Sequence, residues 1–257
     1  MLHNSSGPRG GALRVVALTR HNLLLRRRDP ANLITYVITP MILITLFKPV
    51  LTRLMPDGGT AQDVTGMLVL SSTLALQIVG MSLLSERTWR TWEMLRATPV
   101  TAAELLIGKA VPVVAALLLQ QAVVIGYGIA VAGLSMSGPP FLLLLAMLVW
   151  SMTLLAAGSL LATLVRSHSQ LAVLTDIGAI VVSTLGGALL PLSMMPSIAR
   201  HVAPASPGYW AIRMLKAAVR GDVIGTLGPA CVLAGIAVVA STLACLRLRR
   251  GLAQLKS

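Results

Sequence analysis

Residues 141–165 read FLLLLAMLVWSMTLLAAGSLLATLV, from Phe141 to Val165 without a charged side chain. An uncharged apolar run of more than about 18 residues is long enough to cross the roughly 30 Å hydrocarbon core of a bilayer as a helix. Backbone polar groups have no water to bond in lipid, so a segment of this kind satisfies them internally as an α-helix. Working outward, Arg166, Ser167, His168 and Ser169 form a tight polar turn, and a second apolar run follows from Gln170 to Leu192. On the other side, Ser135–Pro140 is a short loop behind a run that extends back toward Glu104, with Lys109 near its start and Pro112 in an early turn.

The same reading covers the rest of the chain. Ala31–Phe47 is uncharged and ends at Lys48, whose ammonium can snorkel to the headgroups. Leu51–Asp63 holds Pro56, Asp57, Gly58 and Gly59, the composition of a turn, and Val64–Leu84 is apolar again. A last run spans about Thr226–Leu246. The expected architecture is an all-α integral membrane protein of six spans, treated as one domain over residues 1–257. Residues 1–30 are its interfacial region, 31–246 the six-span bundle and 247–257 a tail.

Composition agrees with lipid as the main solvent. Hydrophobic residues make up 56% of the 257 and charged ones 11%, against roughly a quarter charged in soluble domains. The formal net charge of +13 would suggest nucleic-acid binding in a soluble protein. Here the arginines flank apolar runs and aromatic residues for base stacking are few, so anionic headgroups are the expected partner and nucleic acid is not. Both termini are placed in the cytoplasm, which puts 15 of the 21 Lys and Arg inside. The loop before the last span resists, because Arg200, Arg213, Lys216 and Arg220 then lie outside. In that loop Arg213, Lys216 and Arg220 share one face of a short amphipathic helix and Ile212, Leu215 and Val219 another, a helix able to lie at the interface but not to span.

Several chemistries lack a carrier. His3, His21, His168 and His201 are scattered without metal-ligand spacing, so no metal site is expected. No Gly-x-Ser-x-Gly turn occurs, and no Gly-x-x-x-x-Gly-Lys-Ser/Thr phosphate loop; the chain is not expected to be an enzyme. Cys231 and Cys245 are fourteen residues apart in one run, roughly 21 Å along a helix, too far for a disulfide within one chain. They read as small packing residues. Gly126 with Ala130, and Ser183 with Gly187, suggest close helix packing. Asp176 is the one clear acid well inside an expected span. Desolvating an acid is costly, which makes it a candidate for the substrate pathway, attracting a cationic amphiphile or carrying a proton. Hydration at a cytoplasmic vestibule, or pairing with hydroxyls or Lys109, would leave it structural.

The longest inner loop is 85–104, SERTWRTWEMLRATPVTAAE. Its tryptophans, arginines and glutamates favour a short amphipathic helix along the membrane. Thr98-Pro99 forms a turn, and Thr101 with Glu104 a capping box that starts the next helix. Residues 13–28 mix Val and Leu with Arg14, Arg20, Arg26, Arg27 and Arg28, an interfacial helix by composition.

The order Glu86-Arg87, Thr91, Glu93, Leu95, Ala97-Thr98-Pro99-Val100-Thr101, Glu104 and Gly108-Lys109 resembles the cytoplasmic signature of ABC-2 type permeases, particularly daunorubicin-resistance-type drug exporters. It departs from that signature at Thr88, where a second acid is usual, and at Arg90, where glycine is usual. The resemblance implies that the 86–100 loop is a coupling helix between spans two and three, seated in a separate ATP-binding subunit through Glu86, Arg87, Thr91, Glu93, Leu95, Thr98 and Pro99. It further implies that Arg20, Arg26, Arg27 and Arg28 belong to an N-terminal elbow helix on the inner leaflet, and that short amphipathic outer helices precede span six. Two ATPase copies, each with its own Mg-ATP, and a second permease copy or paralogue are the implied partners, with no cofactor on this chain. The expected function is export of a hydrophobic or amphipathic small molecule across the cytoplasmic membrane. Export of a lipid or lipid-linked glycan, an ion-coupled carrier centred on Asp176, and a membrane-embedded sensor or scaffold are the alternatives.

Overall fold

The computed structural model describes residues 30–56, 58–77, 80–81, 102–165 and 167–254. The regular structure among the described residues is helical, with α1 Pro30–Leu54, α2 Gly59–Leu74, α3 Ala102–Ala130, α4 Pro140–Leu164, α5 His168–Leu185, α6 Ser197–Val202, α7 Pro207–Arg220 and α8 Val223–Gln254. Five of these helices, α1, α3, α4, α5 and α8, are long and apolar enough to cross a membrane. Of the run expected as span two, Val64–Leu84, the described part is a 16-residue helix that starts five residues earlier at Gly59, turns at Ala75 and is helical again at 76–77 and 80–81; 78–79 and 82–84 lie outside the described residues.

Helix ends follow local chemistry. Pro140 opens α4 in the first turn, where its missing N–H is no loss, and Ser167 caps α5 by accepting from the Gln170 amide at 3.2 Å. The fifth apolar run was expected to continue to Leu192, but α5 stops at Leu185 because Gly187 turns the chain at φ +87°. Gly221, at φ +79°, is the left-handed cap of α7.

The main correction concerns α7. Its apolar face does not lie bare at a lipid interface: Ala211, Met214, Leu215 and Ala218 are fully buried, and the helix packs on α8, α4, α2 and α5. The apolar stripe that permits interfacial binding serves equally well as a protein-packing face, and the surrounding helices cover it. Ser206 fastens the start of α7 to α5, donating to the Val182 carbonyl at 2.7 Å.

The core centres on Trp150, Val64, Met67, Leu68 and Leu233, each almost wholly buried. Two packing expectations fail. Cys231 and Cys245 are exposed, and a side chain at Gly126 would meet nothing within 4 Å. The residue of α3 that allows close approach is Gly128, where a Cβ would press on the Val64 side chain. Ser183, by contrast, is buried as expected.

The bundle interior is laced with uncharged polar groups. Gln120 donates to Ser71 Oγ at 2.8 Å, Gln121 to Ser151 Oγ at 2.8 Å, and Trp150 Nε1 to Ser72 Oγ at 2.7 Å. These bonds tie α2, α3 and α4 together. Each interhelical bond in lipid contributes about 0.6–2 kcal/mol. Trp150→Phe is therefore expected to lower stability by about 1 kcal/mol through the lost indole N–H, and Trp150→Ala by about 3–5 kcal/mol through the added cavity, as read from thermal unfolding in mild detergent.

Candidate functional site

Helix α5 positions Asp176. Its buried residues, Leu171, Thr175, Ala179 and Ser183, recur every fourth position and form one narrow stripe, while Val173, Leu174, Ile177, Ile180 and Val181 are exposed. Asp176 is exposed among them. Eight residues beyond the helix start, it lies about 12 Å along the axis. No described hydroxyl donates to its carboxylate, and Tyr36 of α1 is close enough to interact with it electrostatically. The Lys109 side chain lies outside the described residues.

Tyr36 connects this surface to the polar interior. Its hydroxyl donates to Gln77 at 3.4 Å and its carbonyl accepts from Gln120 at 3.3 Å. Beyond Tyr36, α1 exposes Ile38, Ile42, Leu46, Val50 and Leu54, again at every fourth position. Helices α1 and α5 are the least covered of the five candidate spans. Lys48, expected to snorkel, reaches the Val131 carbonyl at 3.3 Å.

A second cluster closes the end of the bundle where α1 meets α2. Gln62 is buried, donates to the Gly187 carbonyl at 2.5 Å and accepts from Lys216 Nζ at 2.9 Å. Burial, and next the charge of Arg220, lower the Lys216 pKa from the usual lysine value. Arg213 sits over the rings of Tyr209 and Trp210, at 5.4 Å and 5.8 Å from their centroids, and donates to the Tyr209 hydroxyl at 2.8 Å. Asp63, next to Gln62, is fully buried, and neither of its oxygens has a hydrogen-bond partner among the described residues. These residues were not legible as a cluster, since Gln62 and Asp63 read as the end of a turn and Lys216 as an interfacial charge.

The chain, whose described residues form helices of which five are long and apolar enough to cross a membrane, is matched from residue 14 to 219 by the family model for the ABC-2 type transporter. The chain belongs to the ABC-2 type transporter family. No curated protein matches it. ABC-2 type permeases are membrane transport components rather than enzymes, and they generally work with an ATP-binding subunit. In this ABC-2 chain, Glu86, Arg87, Thr91, Glu93, Leu95, Thr98, Pro99 and Thr101 lie outside the described residues, as do Arg20, Arg26, Arg27 and Arg28; Glu104 is in the first turn of α3 and its side chain is outside the described set. Among the described residues no group of three His, Cys, Asp or Glu could hold a metal.

Proposed function

We propose that this chain is the permease subunit of an ATP-driven exporter that moves a hydrophobic or amphipathic small molecule out across the cytoplasmic membrane, in the manner of daunorubicin-type exporters. The observation that carries the reading is Asp176, exposed on the uncovered apolar surface of α5 beside α1. A carboxylate is costly against lipid tails. A second permease copy or a paralogue covers α1 and α5, and Asp176 faces the pathway between the two. The chain then has six spans, the broken α2 completing the second, with both termini in the cytoplasm. Two ATPase subunits bind below, their closure on Mg-ATP transmitted through the 86–100 loop and steadied by the basic elbow at Arg20, Arg26, Arg27 and Arg28. One further reading gains from the Lys216–Arg213 cluster: a lipid or lipid-linked glycan exporter needs a basic groove for phosphate, with aromatic residues beside it.

The test is purification of the tagged chain from its host in mild detergent, followed by transport measurements. An ATPase is expected to co-purify, and transport is expected to stop on ATP depletion with the proton gradient kept. Asp176→Asn should lower transport of cationic amphiphiles about tenfold, equivalent to ~1.4 kcal/mol, with ATPase association unchanged. Transport that survives ATP depletion and follows the proton gradient would replace the exporter by an ion-coupled carrier working through Asp176.

A further inference from the structure

We propose that the cavity between the start of α2, the turn after α5 and helix α7 binds the anionic headgroup of an amphiphile, a phosphate or carboxylate, with Lys216 and Arg213 as its cationic contacts. This goes beyond the transport reading and does not depend on which cargo is moved. The cavity measures about 230 Å3, and Gln62, Gly187, Leu192, Tyr209, Arg213 and Lys216 are among its lining residues. That is below the roughly 300–1,000 Å3 of drug-sized pockets, so it suits a headgroup whose chains lie elsewhere.

Two cations meet here without an acid. Among the described residues neither Lys216 nor Arg213 forms an ion pair, and the one hydrogen bond of the Lys216 ammonium goes to the neutral Gln62 oxygen at 2.9 Å. Asp63, although adjacent to Gln62, has no hydrogen bond to either cation. A partly buried ammonium without a countercharge is unfavourable, and the lowered pKa of Lys216 reflects that burial. A bound anion supplies the missing charge. Charge-assisted hydrogen bonds from lysine and arginine are the strong contacts for phosphate and carboxylate.

The walls are built to hold this arrangement. Gln62 is fixed by the Gly187 carbonyl, and Arg213 by Tyr209 and Trp210, whose rings meet edge to face at 5.1 Å. A Cβ at Gly186 would stand 2.6 Å from the Gly208 carbonyl carbon, so the two backbones that frame the cavity are in direct contact. Tyr and Trp beside Lys and Arg at the end of a helical bundle are the residues that sit at headgroup level. The site also accounts for positive charge at the end of the bundle where the charge asymmetry of the chain disfavours it.

Native mass spectrometry of the full chain, released from mild detergent with equal amounts of phosphatidylglycerol and phosphatidylcholine, tests this. Phosphatidylglycerol is expected to be retained preferentially, and the double variant Lys216→Gln with Arg213→Gln to lose that preference about tenfold. Lys216→Arg keeps the charge and should keep the preference, which guards against a folding defect in the double variant. Displacement of the lipid by inorganic phosphate would uphold an anion site and assign it to a free anion; resistance to phosphate would uphold it as a lipid-headgroup site. Equal retention of phosphatidylcholine by the wild type, or an unchanged preference in a folded double variant, would overturn the proposal.

Discussion

Substituting Glu93, or Thr98 and Pro99 together, with alanine should reduce ATP-driven transport about 10- to 100-fold, the effect of removing 1–3 kcal/mol of coupling free energy between two sites. The chain should still insert, purify and unfold at the wild-type temperature. The reasoning is mechanical. A coupling segment transmits ATPase closure only if it is rigid and joined to a span. The sequence of the 85–104 stretch is suited to both: Thr98-Pro99 is a pair expected to restrict the backbone, and Thr101 with Glu104 has the pattern of a capping box for the following helix. In the proposed coupling role Glu93 would offer a charge to the ATP-binding subunit. Transport and ATPase stimulation measured side by side separate the roles, because loss of coupling leaves basal hydrolysis in place while lowering transport. Unchanged transport in both variants would remove the assignment of this loop to coupling.

Gly66→Ala should be among the most damaging single methyl groups in the described bundle. A Cβ there would overlap the Ala188 carbonyl oxygen and stand 2.9 Å from its carbonyl carbon. Both groups are backbone, so no side chain can rotate aside, and α2 has to move away from the turn after α5. That movement also pulls Gln62 from the Gly187 carbonyl, four residues earlier on the same face of α2. Overpacking of a tight core costs about 1–3 kcal/mol, and a backbone obstruction belongs at the upper end or beyond it. The expected readout is a lower unfolding temperature and a smaller monodisperse peak in mild detergent. Gly126→Ala, in open space on α3, is the control and should be close to neutral. Equal behaviour of the two variants would show that α2 and the Ala188 turn are not in contact.

Much of this protein is legible in its amino-acid sequence. Uncharged runs of span length announce membrane helices because lipid offers no partner for backbone or charge, and α1, α3, α4, α5 and α8 lie where those runs lie. The amphipathic spacing of Arg213, Lys216 and Arg220 against Ile212, Leu215 and Val219 announced a short helix, and α7 is that helix. Asp176 stood out because a single acid in an apolar run is rare. The polar seam did not stand out. Gln120, Gln121, Ser71, Ser72 and Ser151 are uncharged, cost little in a hydropathy reading, and gain meaning only from the partner each meets on another helix.

What the sequence by itself determined, then, is which segments are helices in lipid and which family the chain resembles, since both depend on local composition, spacing and a linear motif. Only the tertiary structure decided what each helix face touches. It put the apolar face of α7 inside the bundle and left one face each of α1 and α5 uncovered. It also brought Gln62 to Lys216 across 154 positions of chain. The physical reason is that an apolar face is equally satisfied by lipid or by protein, and the choice between them is made by close contacts such as Gly66 on Ala188, which no local pattern contains.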